Sequence, residues 1–203
     1  MDYPLEQWIN APAGSHPLLD TVMVHAAAWG EAIFIGLIIV WFLVGWLRHR
    51  AADRQGAIAA AAGAGMALLV NVLISHLWTR PRPFVTHPAV HVLLRHSTDA
   101  SFPSDHASPA FAIAAILFAV HRKLGTLALL FAVLMCYARV YVGDHYPGDV
   151  LAGAVIGGAV AWVLLKWCTR PLVFLRQLGD RILAVLPWPA PVTTSAGVRR
   201  PSS

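Results

Sequence analysis

Residues 147–165 read PGDVLAGAVIGGAVAWVLL, and this stretch decides the fold class. Its length lies in the range of about 17–25 residues that an apolar helix needs to cross a bilayer. Pro147 suits the first turn of a helix, where a missing N–H costs nothing. Within it, GAVIGG (residues 153–158) offers small side chains that let helices approach closely in lipid, where packing drives association.

Four further apolar segments lie upstream: Thr21–Leu47, interrupted by Glu31; Ala57–Thr79, without any charge; His106–Val120; and Leu124–Ala138. The last two are short for a span, and both end at polar motif residues, so polar first turns are expected to lengthen them to the interface. Composition agrees with a membrane setting. The chain is 58% hydrophobic and 12% charged, with eight tryptophans, and its mean hydropathy is +0.62. The expectation is an all-α integral membrane helical bundle with five transmembrane helices.

The stretch PLVFLRQLGDRILAVLPWP (residues 171–189) differs, because Arg176, Asp180 and Arg181 mark one polar face. It reads as an interfacial amphipathic helix, with a sixth span as the alternative. Three regions follow: residues 1–20, an amphipathic segment without the basic head and cleavage site of a signal peptide; residues 21–170, the membrane core; and residues 171–203, an amphipathic helix with a disordered tail. Cys136 and Cys168 sit in apolar runs without metal or disulfide spacing and read as buried thiols.

With five spans, eleven Lys and Arg residues fall on one side and four on the other: Arg80, Arg82, Arg95 and Arg139. The positive-inside rule makes the first side cytoplasmic. The net charge of +5 therefore reports topology rather than nucleic-acid binding. The four outer arginines run against that bias, and anion binding is a reason to keep them there.

Three polar stretches meet on that outer face: WTRPRPF (78–84), FPSDHAS (102–108) and ARVYVGDHYPGDV (138–150). Arginine binds phosphate oxygens bidentately, and Arg80, Arg82 and Arg139 are available. Ser104 is a candidate N-cap, leaving the N–H groups of Asp105 and His106 toward an anion. His106 and His145 can exchange protons near neutral pH. Asp149, four residues after His145, is placed to accept a hydrogen bond from one imidazole nitrogen, leaving the other free to attack phosphorus.

In this arrangement the chain resembles the type-2 phosphatidic acid phosphatase superfamily, which includes the vanadium haloperoxidases. That signature is a lysine, six residues and Arg-Pro; Pro-Ser-Gly-His; then Ser-Arg, five residues, His, three residues, Asp. Here it is carried by Arg82-Pro83, by Pro103-Ser104-Asp105-His106, and by Arg139, His145 and Asp149 in register. The lysine position falls on Ser75, with Arg80 able to replace its charge. Asp105 stands for the usual glycine and Ala138 for the serine. RPRPF and PSDH look most like the bacterial undecaprenyl pyrophosphate phosphatases.

The resemblance implies a membrane lipid phosphatase without metal or other cofactor, acting on a polyprenyl diphosphate. It implies His145 as nucleophile, supported by Asp149, and His106 as proton donor and then water activator. Arg82, Ser104 and Arg139 are expected to contact substrate, joined by Arg80 and Asp105, which stand outside the signature. For Asp105, tuning of leaving-group protonation and binding of a polar part of the substrate both stand. It further implies a bacterial cytoplasmic membrane location, with the site facing outward. Phosphatases of phosphatidate, phosphatidylglycerol phosphate or lipid A-type phosphate are the enzymatic alternatives, and a small transporter or lipid-binding subunit is the non-enzymatic one.

Other residues have plainer readings. Asp144 reads as a solvated turn acid. His87, His91 and His96 read as a solvated loop without a metal set, and Asn71 as interhelical glue. Glu31 pairs with a site residue, lines the substrate path, or precedes the span.

Overall fold

The computed structural model describes residues 2–94 and 99–183, all in helix or loop, with no strand among them. The helices are α1 (Asp2–Asn10), α2 (Pro17–Leu47), α3 (Ala51–Leu77), α4 (Pro83–Thr86), α5 (Ala107–Val120), α6 (Arg122–Tyr141), α7 (Pro147–Trp167) and α8 (Thr169–Leu183). Helices α2, α3, α6 and α7 are long and apolar enough to span a membrane, and α5 is a shorter apolar helix. The bundle is thus the expected all-α membrane architecture, and its five apolar helices match the five segments.

Some boundaries differ. Helix α2 begins at Pro17, inside the N-terminal segment. Helix α3 begins at Ala51, because its polar first turn is held inside the bundle end: Asp53 accepts from Trp41 Nε1 at 3.3 Å and meets His121 Nε2 at 2.5 Å. Polar turns do lengthen α6 at both ends. They do not lengthen α5, which keeps 14 residues, about 21 Å against a hydrocarbon core of about 30 Å. Its C-cap His121 leads straight into α6, and its N-terminus is set by the FPSDH turn.

This short helix organises the site. α5 packs against α3, α6 and α7, while α2 closes the bundle against α3 and α6. The chain entering α5 is tied to α3 by Asn71, through the Ser104 carbonyl, and to the start of α7 by the Ser104 N–H on the Asp149 carbonyl. Close approach comes from small residues. Ala57, Ala60, Ala67, Ala112, Ala114, Ala132 and Ala161 are buried around Ile116, Leu117 and Met135. A Cβ on Gly153 would lie 2.7 Å from Ala107 Cβ, and one on Gly157 would lie 2.8 Å from Ala112 N. Two glycines one turn apart thus bring α7 onto the backbone of α5. Large apolar side chains point the other way: Leu69, Leu73, Leu127, Leu130, Val155 and Trp162 are exposed. Such an exterior is untenable in water and natural against lipid tails.

Helix α8 lies on α3 and α7. Asp180 accepts from Arg54 Nε at 3.0 Å and from Arg176 Nη1 at 2.6 Å, while Phe174, Leu178 and Ile182 are exposed. It is amphipathic and is not among the span-length apolar helices. The expected disordered tail lies outside the described residues.

Candidate active site

The turn between α6 and α7 is built around Gly143, whose φ of +83° ends α6. A side chain there would meet the His91 carbonyl at 2.8 Å, so this position suits glycine twice over. After it, the N–H groups of Asp144 and His145 both turn back to the Arg139 carbonyl, at 3.0 and 3.4 Å. Pro147 then opens α7 at its first turn. The sharp reversal buries Asp144, His145 and Asp149 completely.

Asp144 is not the solvated acid expected. Its carboxylate is gripped by Arg82 Nη1 and by Arg139 Nη2, both arginines being buried. Arg82 also binds the exposed Asp99, through Nη2 at 2.8 Å and Nε at 3.1 Å. Burial pulls the Arg82 guanidinium down, but Asp144 and Asp99 outweigh it and hold it above its ordinary value. Two guanidinium groups from distant parts of the chain, the loop before α4 and the last turn of α6, thus converge on one oxyanion, the geometry suited to phosphate oxygens. The availability of these arginines to an anion was legible. The internal carboxylate between them was not, because adjacency to Gly143 and His145 does not reveal which way a side chain points.

His145 is fixed by its back nitrogen. Nδ1 lies 3.0 Å from the Ser101 carbonyl, and a carbonyl only accepts, so Nδ1 carries a hydrogen and Nε2 is the nitrogen left to act. Nε2 has no hydrogen-bond partner; Asp144 Oδ2 and Asp105 Oδ1 stand 3.5 and 3.7 Å from it. The direct bond expected from Asp149 is not formed: its Oδ2 is 3.8 Å from Nδ1. That oxygen instead accepts from Ser101 Oγ at 2.5 Å and from the Tyr146 N–H at 2.9 Å. Ser101, which no spacing rule marked, links the two, and its own N–H is held by the Arg80 carbonyl at 2.7 Å.

Arg80 does not join the Arg82–Arg139 pair. Its Nη1 binds Asp149 Oδ1 at 2.8 Å and Asp2 Oδ2 at 2.7 Å, and its guanidinium stacks 3.8 Å over the Tyr146 ring. It therefore stands behind Asp149. Asp2 also caps α7 by accepting from the Gly148 N–H at 2.9 Å, which ties α1 to the site. Further along α1, Asn10 donates to the Tyr141 and His91 carbonyls at 2.7 and 2.8 Å. His87 stacks on Tyr3 with centroids 3.6 Å apart. His87 and His91 thus hold their loop against α1, with His91 still exposed; His96 lies outside the described residues.

Helix α5 starts one residue after His106, later than a Ser104 N-cap implies. Ser104 still accepts from the Ala107 N–H at 3.3 Å, and its own N–H binds the Asp149 carbonyl at 3.1 Å. Asn71 donates to the Ser104 carbonyl and accepts from Ser108 Oγ, both at 3.0 Å, locking α3 to the start of α5. His106 faces His145 with ring centroids 6.3 Å apart. Its Nδ1 is 2.7 Å from Asp105 Oδ1 and its Nε2 is 3.7 Å from Glu31 Oε2, so Glu31 pairs with a site residue. Side-chain exposure rises outward, from 18% at His106 to 46% at Asp105 and 62% at Glu31, and marks the mouth. Asp105, His106 and His145 also offer ligand atoms within 4.8 Å of one another, a set able to hold a cation.

A membrane bundle that sinks a histidine with a free nitrogen beside a two-arginine fork, with a second histidine at the mouth, defines a membrane-embedded phosphatase. The chain belongs to the PAP2 superfamily, whose family model matches residues 56–171. It is 33% identical over 147 residues to the undecaprenyl-diphosphatase BcrC of Bacillus subtilis, covering 72% of this chain and 74% of that protein. It is 31% identical over 172 residues to a Bacillus licheniformis protein named bacitracin transport permease protein BcrC, covering 85% and 82%. The crystal structure of Aquifex aeolicus LpxE superposes with a TM-score of 0.69 at 28% identity, covering 82% of this chain and 95% of that one.

Proposed function

We propose that this phosphatase hydrolyses undecaprenyl diphosphate to undecaprenyl phosphate, recycling the lipid carrier of cell-wall synthesis, through a phosphohistidine on His145. The observation that carries the mechanism is the presentation of His145 Nε2, buried and without a hydrogen-bond partner, beside Arg82 and Arg139. The name of the Bacillus subtilis relative supports the substrate.

His145 Nε2 attacks the terminal phosphorus, and the P–N bond forms as the bond to the leaving oxygen breaks. His106 gives that oxygen a proton. Water then attacks phosphorus, the P–N bond breaks, and His106 takes the water proton. Arg82 and Arg139 stabilise the phosphoryl oxygens, with the polar start of α5 at Ser104 adding to them. Asp149 acts through Ser101 and the Tyr146 turn, and Arg80 supports Asp149. No step calls on a metal, and activity is expected to persist in excess chelator.

Topology fits the outer face of a bacterial cytoplasmic membrane. Arg48, Arg50, Arg54, Arg122, Lys123, Lys166 and Arg170 gather at the end of the bundle opposite the site, which favours that end as cytoplasmic. A site at the ends of the spanning helices would let a head group reach the arginines while its chain stays in lipid.

Phosphate release from detergent-solubilised undecaprenyl diphosphate, phosphatidate, phosphatidylglycerol phosphate and a lipid A-type phosphate tests the substrate. Wild type should prefer the first, and His145→Ala should be folded and inactive. Absence of turnover on the prenyl diphosphate would overturn the assignment. Acid-labile phosphate trapped on a His145 peptide tests the intermediate. The transport name borne by one relative favours a second reading, in which His145→Ala retains function.

A further inference from the structure

Asp105 is a half-exposed acid beside a two-arginine fork, and a repulsive charge there needs a use. Its Oδ1 meets His106 Nδ1 at 2.7 Å, much closer than the 3.7 Å to His145 Nε2. Desolvation pushes the carboxyl up, but the hydrogen bond from His106 and the positive charge around it, that of Arg139 included, outweigh this and hold it well below the usual carboxylate range. An ionised carboxylate only accepts, so the hydrogen of this contact sits on His106 Nδ1. The atom left to work is His106 Nε2, which faces Glu31 at the mouth. This is the end from which a leaving lipid chain would depart.

We infer that Asp105 and His106 form a proton-donor dyad, in which Asp105 is a positioning residue that fixes the ring with Nε2 toward the leaving oxygen and stabilises its protonated form. The inference rests on His106 being the acid of the proposed mechanism. In the step concerned, the P–N bond to His145 forms, the P–O bond breaks, and the proton passes from His106 Nε2 to the departing oxygen. The other titratable or charged groups around the ring are Glu31 from α2, His145 from the α6–α7 turn and, acting on Asp105, Arg139 from α6. Asp105 alone touches the ring at hydrogen-bond distance among these. Two histidines are thereby oriented through opposite partners: His145 by a carbonyl at its back, His106 by a carboxylate at its side.

The test compares two substrates that differ in how much the leaving oxygen needs a proton. Hexadecyl phosphate expels an alkoxide and needs one; p-nitrophenyl phosphate expels a stable anion and does not. Single-turnover release of the alcohol isolates P–O cleavage from the later attack of water. With hexadecyl phosphate, His106→Ala should slow release by about 10²–10⁴-fold, the usual worth of a general acid, and Asp105→Asn by about tenfold or more. Both should act only a few-fold on p-nitrophenyl phosphate, with Asp105→Glu restoring much of the alkyl rate. Discrimination in His106→Ala without any in Asp105→Asn overturns the dyad alone. Equal losses on both substrates in His106→Ala overturn the acid role of His106 and the dyad with it. A change in KM without a change in rate in Asp105→Asn makes Asp105 a substrate contact and also overturns the dyad.

Discussion

Ser101 donates its hydroxyl hydrogen to Asp149 Oδ2 across 2.5 Å, while its carbonyl faces His145 Nδ1 at 3.0 Å. One residue thus couples the carboxylate to His145, the proposed nucleophile. A hydrogen bond to a charged group contributes about 1.5–3 kcal/mol, and about 1.4 kcal/mol is a factor of ten in rate. Ser101→Ala is therefore expected to lower kcat about tenfold. The loss should be smaller than in Asp149→Ala, because the carbonyl remains. Phosphate-release kinetics check this, and an unchanged kcat would remove Ser101 from the relay.

Asp144 holds the two guanidinium groups that the proposed mechanism gives to phosphate. In Asp144→Asn the shape is kept and the charge is lost, so vanadate should inhibit at lower concentration than in wild type. Stability should fall, since breaking a buried pair from one side typically costs about 3–5 kcal/mol. An inhibition constant that does not move would mean that the carboxylate stays in place when an anion binds.

Glu6 is buried in α1, and neither of its carboxylate oxygens has a hydrogen-bond partner. Burial raises its carboxyl from 4.5 to about 7. The sign follows from linkage. Below 4.5 the group is neutral whether the chain is folded or unfolded. From 4.5 to about 7 the unfolded chain releases a proton that the folded one retains, so stability falls as pH rises. Glu6→Gln cannot titrate, so its Tm advantage over wild type should grow between pH 5 and 7.5 and then level off. A Tm difference constant across that window would show that Glu6 is not the titrating group.

Gly157 and Gly158 provide a matched pair. A Cβ at 157 would press on Ala112 N and Phe111 Cβ, whereas one at 158 meets nothing within 4 Å. Gly157→Ala is expected to destabilise by about 1–3 kcal/mol, as overpacking does. It should also reduce activity by shifting α5, and with it His106, against α7. Gly158→Ala should match wild type in thermal unfolding and in turnover.

Much of this molecule was legible because membrane and catalytic chemistry both act locally on sequence. A bilayer demands uninterrupted apolar runs, so the spans were visible, although α5 proved shorter than expected because its polar turn bends away instead of continuing as helix. Arg82, Arg139, His106, His145 and Asp149 keep fixed spacing because each is anchored to a helix end. Ser101, Asp99 and Asp2 have no such spacing. They reach the site through loops or from the far N-terminus, and nothing in their neighbours records the contact.

The amino-acid sequence alone therefore determined a helical membrane bundle with three polar stretches at one end, because hydrophobic length and residue type are properties of the chain. Tertiary structure decided the partners. Arg80 turned to Asp149 and Asp2, Asp144 went inward between Arg82 and Arg139, and His145 took a carbonyl rather than Asp149 as its nearest support. A buried charge must find a partner within a few ångströms, and only packing decides which of several candidates comes within reach.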